Sequence, residues 1–444
     1  MRRIRHKYLL LVMILVLVLT NASIAAELFI PQVDVASFTL SNGLRVFVME
    51  DHSVPLVEFG IMYKVGSIDE RPGFTGISHF LEHTMFLGTS NLAKGRIDEL
   101  INSIGGNYNA VTSFDYTYYY FEVPASKLEL VMAIESDRMG NLLIDPVDIN
   151  REREVIKQER RGSIESNPVN IGLEQIQAVA FANSSLSHQV IGWSEDLDRI
   201  SDADLVAHYH NFYAPNNAIV VVAGDVTVGE VRELVEKYFG HYQPKDVFRR
   251  ISVAEYNRGE VVLEIPAYTN IPITLMLYRI PAGNHPDLLG ISVFLNILVN
   301  NASSRVKQEL QNNLQLIIET GAFPYEIRVP GFALVYTVPI TVEFIPYVQA
   351  TFDALIDQII NEGITQEELD AVKKATLKNL IFLQRDAASL VRSIALGALQ
   401  YDNPNLFYEQ MEVLNSLTVE DIQAIAAKYF TSDNRVVGNI VPIY

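Results

Sequence analysis

His79, Glu82 and His83 have the types and the spacing to do chemistry together. They lie in the stretch from Gly76 to Gly88, where Ile77, Phe80, Leu81, Thr84 and Met85 recur at the period of a helix and Gly88 is placed to stop it. On a helix His79 and His83 are i and i+4, so both imidazoles leave one face about one turn apart, with Glu82 beside them. Two neutral imidazoles at this spacing suit Zn²⁺, and a neighbouring carboxylate suits a general base. The order H-x-x-E-H is the reverse of H-E-x-x-H. A pair of surface histidines without metal would read the same way, so the assignment needs a third protein ligand. The chain has no cysteine. Disulfides and thiolate ligands are therefore excluded, and any metal must use His and carboxylate.

The run from Glu152 to Arg161 is the second informative stretch. Glu152 and Glu159 are seven residues apart, two helical turns, and share a face. One could ligate a metal while the other holds a histidine or the ligand by a hydrogen bond. On composition alone the same run is a solvent-exposed charged helix.

The elements that must position these groups follow from local patterns. Residues 37–40 and 44–49 flank Ser41-Asn42-Gly43 as a hairpin, and 57–65 is a third strand. A helix is expected over 96–104. Residues 105–113 break it and open a strand over 116–123, whose run Tyr118-Tyr119-Tyr120-Phe121 masks alternation and suits sheet packing. Residues 126–143 and 151–161 are helical, the second preceded by N-terminal helix chemistry from Asp145. Residues 218–223 form a strand closed by Gly224. A helix spans 228–239 with Thr227 as N-cap. Residues 241–259 are polar, contain Pro244 and serve as a linker. The pattern then restarts with strands near 261–265 and 273–278 and an apolar helix over 288–298. Residues 211–217 before one strand resemble residues 428–434 before another, a weak repeat with a period of roughly 215 residues. This predicts an α+β chain of two domains sharing one fold.

At 444 residues, 49% hydrophobic, the chain is long enough for two cores. Arg2, Arg3, Arg5 and Lys7, the apolar run from Tyr8 to Thr20 and the small residues of 21–26 read as an export signal. The apolar run is short for a membrane span, and the alternative is an uncleaved N-terminal anchor. Cleavage after residue 26 would remove four positive charges and no negative ones, taking the net charge from −19 to −23. That disfavours nucleic acid and anionic membranes as partners. The expected location is the periplasm of a Gram-negative bacterium, with no stable membrane insertion after cleavage.

The His-x-x-Glu-His helix, the segment Gly105-Gly106-Asn107-Tyr108-Asn109-Ala110-Val111-Thr112 and the Glu-Arg-Glu-Val-Ile run resemble the pitrilysin family of zinc metallopeptidases. The similarity is to its short, roughly 50-kDa branch, which includes mitochondrial processing peptidase and bacterial peptidases. It covers essentially the whole mature chain. The resemblance implies two homologous α/β-sandwich domains, a zinc-binding peptidase domain over 27–245 and a homologous inactive domain over 246–444. It implies His79, His83 and Glu159 as zinc ligands, Glu82 as general base and Glu152 as a supporting carboxylate. Where bacterial members often read Glu-Glu, Gln158 stands first here, so the ligand falls on Glu159. The implied reaction is peptide-bond hydrolysis by metal-activated water without a covalent intermediate. In that family the Asn107–Thr112 segment borders an edge strand that pairs with an extended peptide, which points to Asn109 and Ala110 as substrate contacts.

Self-sufficient family members also carry an Arg and, about seven residues on, a Tyr in the C-terminal half. Here those positions fall on Gln311 and on Ile317 or Ile318, and Arg305 matches a different family Arg. Neither Gln nor Ile can stabilise an oxyanion as Arg and Tyr do. The expectation is a zinc-bearing subunit of a heterodimer whose homologous partner supplies the Arg and Tyr. The alternative is a non-catalytic structural or peptide-binding subunit of the same fold.

Overall fold

A computed structural model describes residues 34–253, 259–383 and 385–443. The expected export signal lies outside the described residues. The first half runs β1 (Ala36–Thr39), β2 (Arg45–Glu50), β3 (Leu56–Tyr63), α1 (Ile77–Thr84), α2 (Arg96–Ser103), β4 (Asn107–Thr112), β5 (Thr117–Pro124), α3 (Leu128–Asn141), α4 (Pro146–Arg160), α5 (Pro168–Ala180), α6 (Ser194–Arg199), α7 (Asp202–Phe212), β6 (Ala218–Gly224) and α8 (Val228–Phe239). The second runs β7 (Val261–Ala267), β8 (Ile273–Arg279), α9 (Asp287–Leu295), β9 (Ile317–Tyr325), β10 (Phe332–Pro339), α10 (Ile345–Glu362), α11 (Gln366–Leu383), α12 (Ala387–Tyr401), α13 (Leu406–Ser416), α14 (Val419–Tyr429) and β11 (Arg435–Pro442).

Two mixed sheets result, ordered β1-β2-β6-β3-β5-β4 and β7-β11-β8-β10-β9. Apart from β1 they are the same sheet twice. In each, the last strand of the half runs parallel to one neighbour (β2 or β7) and antiparallel to the other (β3 or β8). The repeat is also chemical. Asn217 donates to the carbonyls of Phe212 (2.7 Å) and Lys64 (3.3 Å), just before β6. Asn434 donates to those of Tyr429 (2.7 Å) and Arg279 (2.8 Å), just before β11. One side chain thus ties a helix end to a strand end at the same place in both halves.

Each half lends a helix to the other. α5, from the first half, packs on β11 and β8, with Leu173, Ile176 and Phe181 in one buried cluster with Leu275, Leu277, Val436 and Ile440. The approach is close: a Cβ at Gly172 would stand 2.7 Å from Ile440, and one at Gly438 2.6 Å from Ile176. α12, from the second half, packs on β6 and β2. Each fully buried Leu, Ile or Phe contributes ~1.5–3 kcal/mol, so the exchange welds the halves by apolar burial. It also explains the masked alternation of β5. Tyr118 and Tyr119 point to opposite faces of the first sheet, and both are buried because both faces are covered.

The structure corrects two local expectations. Gly88 does not end the His helix: α1 stops at Thr84 and short turns follow, with Leu87 N donating to Thr84 O (3.0 Å). Asn107 to Thr112 is not a break ahead of a strand but is itself β4, the outermost strand of its sheet, paired antiparallel to β5.

Candidate functional site

The apolar stripe of α1 is buried as its spacing requires, with Ile77, Phe80, Leu81 and Met85 all under 5% exposed. That burial turns the opposite face, His79 and His83, toward α4. The N-terminus of α1 is held by a group with no local signal. Glu70 accepts hydrogen bonds from the main-chain N–H of Gly76 (2.7 Å) and Ser78 (2.8 Å), two donors that an α-helix leaves free at its start. Burial pushes the Glu70 carboxyl up to about 8, against the pull of those bonds. Ser78 Oγ also lies 3.1 Å from Nε2 of His208, on α7.

α4 starts as a helix should. Asp145 accepts from the N–H of Val147 (2.8 Å) and Pro146 fills the first position, where no donor is needed. Its far end does not stop at Arg160. The backbone widens into a π turn over Arg161–Glu165, with Ser166 N donating to Arg161 O (2.9 Å), and Glu159 sits two residues before its start. Arg160 anchors this end through a bidentate pair with Glu174 of α5 (2.8 and 2.9 Å).

Between α1 and α4 the expected residues converge. Oε2 of Glu159 stands 3.8 Å from Nε2 of His79 and 3.4 Å from Nε2 of His83. The three donor atoms all lie within 4.8 Å of one another. Ligand atoms about 2.0–2.1 Å from a tetrahedral zinc stand roughly 3.4 Å apart, so this set fits such an ion with little closure. Nδ1 of His83 donates to Glu152 Oε1 at 2.8 Å. That bond fixes the proton on Nδ1 and leaves Nε2 free to face a cation. His79 Nδ1, by contrast, is buried without a hydrogen-bond partner among the described residues, and packing orients that ring.

Burial pulls His79 down to about 4, helped by the charge on His83, and keeps the ring neutral. Burial also works against a charge on His83, but the bonds to Glu152 and Glu159 outweigh it and hold its pKa up to about 9. The bond from His83 in turn lowers Glu159. Glu82 is nearly buried, and burial raises its pKa despite the hydrogen bond it accepts from Thr112 Oγ1 of β4. A carboxyl raised toward neutrality beside a metal site is suited to moving a proton. The Thr112 contact escaped sequence reasoning, since 30 residues separate the pair.

The group opens into a cavity of about 520 Å³. Asn109, Ala110, Val111 and Thr112 of β4 form one wall, and Gln189, Val190 and Ile191 part of another. Asn109 Oδ1 accepts from the N–H of Ala110 (2.8 Å). Every lining residue among the described ones falls between His79 and Ile191, and the second half contributes none. Gln311, in the second half, donates to Ile318 O (2.7 Å), and Arg305 is spent on a bidentate pair with Glu368 (2.8 and 3.0 Å).

Two sequence models of one family match the chain. Insulinase (peptidase family M16) covers residues 45–193, and the peptidase M16 inactive domain covers residues 199–376. The chain belongs to peptidase family M16, the pitrilysin and insulinase family. The first M16 match contains α1 and α4. Zinc protease PqqE of Helicobacter pylori is 28% identical over 97% of this chain and 97% of its own. Mitochondrial-processing peptidase subunit beta of Blastocladiella emersonii is 31% identical over 45% of this chain and 43% of its own. The crystal structure of a protease from Helicobacter pylori superposes with a TM-score of 0.87 at 25% identity, covering 92% of this chain and 99% of that one. The first half of the periplasmic protease PqqL from Escherichia coli shares the fold, with a TM-score of 0.76 at 22% identity over 92% of each chain. The M16 fold is the α+β architecture of two related domains expected from the sequence.

Proposed function

We propose that this M16 protein is a zinc metalloendopeptidase. The observation that carries the reading is the convergence of His79, His83 and Glu159 within 4.8 Å, with Glu82 on the same helix. His79, His83 and Glu159 would hold the zinc ion, which when bound supplies a Lewis acid and a water acidified toward neutrality. Glu82 takes a proton from the attacking water and passes it to the leaving amine. Thr112 holds the Glu82 carboxyl toward the cavity. Glu152 orients His83. The free edge of β4 offers main-chain donors and acceptors to an extended peptide, with Asn109 and Ala110 against it. This mode gives affinity with little side-chain selectivity.

In this reading residues 27–245 form the zinc-bearing domain and residues 246–444 a domain without metal. The site is completed by a homologous subunit that brings an Arg and a Tyr. In support, among the described residues the second half lends nothing to the cavity wall, and Arg305 and Gln311 are occupied elsewhere. The chain is exported to the periplasm, as the N-terminal sequence suggests. Among the described residues no helix is long and apolar enough to cross a membrane. The test is cleavage of a quenched peptide by the purified protein, alone and with a co-expressed homologue, after zinc is counted by elemental analysis. Zinc bound without turnover in either case would favour a peptide-binding subunit, and absence of zinc a structural one.

A further inference from the structure

The seam between the halves reaches both elements that carry the site. Asp69, whose side chain is fully buried, accepts from Arg249 of the linker (2.6 Å) and from Arg328 of the β9–β10 loop (2.6 Å). It is adjacent to Glu70, which holds the start of α1. Asp115, 1% exposed, sits in the turn that follows β4. It accepts from the main-chain N–H of the same Arg328 (2.8 Å) and from Gln400 of α12 (2.8 Å). The two loops are themselves joined: Ser67 N and Ile68 N donate to Ser113 O (3.2 Å) and Phe114 O (2.8 Å). Thus the second half grips the first at two buried carboxylates, one wired to the His helix and one to the edge strand.

We infer that the metal-free half is a positioning device for the site, with Arg328 bracing α1 through Asp69 and Gln400 bracing β4 through Asp115. The physics is that of preorganisation. Reacting groups must be held to a fraction of an ångström, and β4 as an edge strand has a strand partner on one side only among the described residues. Two buried ion pairs to Asp69 and a two-donor clamp on Asp115 restrict loops that would otherwise be free to shift. The guanidinium arm and the Gln400 arm can be cut separately, because the Arg328 contact to Asp115 runs through its main-chain N–H.

The inference rests on the proposed peptidase reading for its kinetic arm, and metal affinity and hydrogen exchange test it without that reading. The variants are Arg328→Met, Arg328→Lys and Gln400→Leu in the full chain. Arg328→Met should weaken zinc retention against a chelator and lower kcat, each by roughly 10-fold, with faster amide exchange over 77–84. Arg328→Lys should recover part of both. Gln400→Leu should raise KM and speed exchange over 107–112, leaving kcat and zinc retention near the parent values. Amides of α10 serve as the reference and should not change. The inference is overturned if folded Arg328→Met matches the parent, or if both variants accelerate exchange uniformly including α10. Should Arg328→Met fail to fold, Arg328→Lys and Gln400→Leu still separate the two arms. Should the parent cleave no peptide, the peptidase reading fails while exchange and zinc retention still decide the positioning role.

Discussion

The two halves share a sheet order and differ in the helix that follows their central strand. In the first half α1 lies between β3 and β4 and carries half-buried His79 and His83 with the buried Glu82 beside them. In the second, α9 lies between β8 and β9 and has Ile291, Val293, Phe294 and Leu295 at under 2% exposure, with no titratable side chain after Asp287. The fold is therefore served at this place by a helix with no titratable side chain past its first residue. Keeping two imidazoles and a carboxylate there costs desolvation, which lowers the His79 pKa and raises that of Glu82, while His83 is held charged only by its bonds to Glu152 and Glu159. Groups held at such a cost are held for chemistry. The same contrast appears on α7 and α14. His208 faces α1 from α7, and the position 217 residues on is Ile425, 6% exposed.

The largest effect expected from breaking this contrast is at Glu82. Glu82→Gln keeps shape and ligands but removes the proton acceptor, so peptide hydrolysis should fall by at least ~100-fold with zinc still bound. Loss of zinc in that variant would show that Glu82 is a ligand. Next comes the pair on α4. Glu159→Gln should strip zinc severely, whereas Glu152→Gln, acting only through His83 Nδ1, should weaken it ~10–100-fold. Titration with a zinc chelator reads both, and the reverse order would exchange their roles.

The exchanged helices make a third test. Ile176 of α5 is fully buried against the second sheet and Ile394 of α12 is 4% exposed on the other side of the seam. Truncating either to Ala should cost about 2–5 kcal/mol in unfolding free energy, depending on how far the site collapses. Calorimetry should still show one cooperative transition. Two transitions would mean the halves are stable units in spite of the exchange.

How much of this was readable beforehand follows from distance along the chain. The H-x-x-E-H spacing, the buried stripe of α1 and the shared face of Glu152 and Glu159 are periodic within two turns, and the structure keeps all of them. Choosing Glu159 over Glu152 needed family resemblance, because both carboxylates leave α4 on one face. Thr112 on Glu82, Glu70 on the start of α1 and His208 on Ser78 are set by tertiary packing, and no local spacing announces them. The helix exchange is invisible for the same reason: nothing in the sequence of α5 or α12 names the sheet it will cover. Gly88 serves a tight turn and not the helix end, since glycine suits both. Here it has φ +119, and a Cβ would stand 2.7 Å from Leu92 O.

His208 gives the contrast a pH signature. Burial, with help from Arg71, pulls its pKa down to about 3 from an unfolded value near 6.5. Between those values the unfolded chain binds a proton that the folded chain refuses. The stability is fully present above about pH 6.5 and is lost as pH falls, by up to ~1.4 kcal/mol per unit. Denaturant midpoints taken from pH 7 to pH 5 should drop more steeply in the parent than in His208→Gln. Equal slopes would mean that His208 takes its proton without unfolding.

The smallest effects should be equal in the two halves. α7 and α14 both open with a capping box. Ser201 Oγ accepts from Asp204 N (3.2 Å) while Asp204 Oδ2 accepts from Ser201 N (3.0 Å). Thr418 Oγ1 accepts from Asp421 N (3.2 Å) while Asp421 Oδ2 accepts from Thr418 N (2.8 Å). The boxes are 217 residues apart, at matching places before β6 and β11. Ser201→Ala and Thr418→Ala should each cost about 1 kcal/mol, because each strands one main-chain donor at a helix start. Thermal melts read this as two similar decreases, with zinc content unchanged in both. If Ser201→Ala alone also released zinc, α7 would be part of the machinery that holds α1, since its His208 touches Ser78 beside His79. The repeat would then be structural in one half and functional in the other even at its caps.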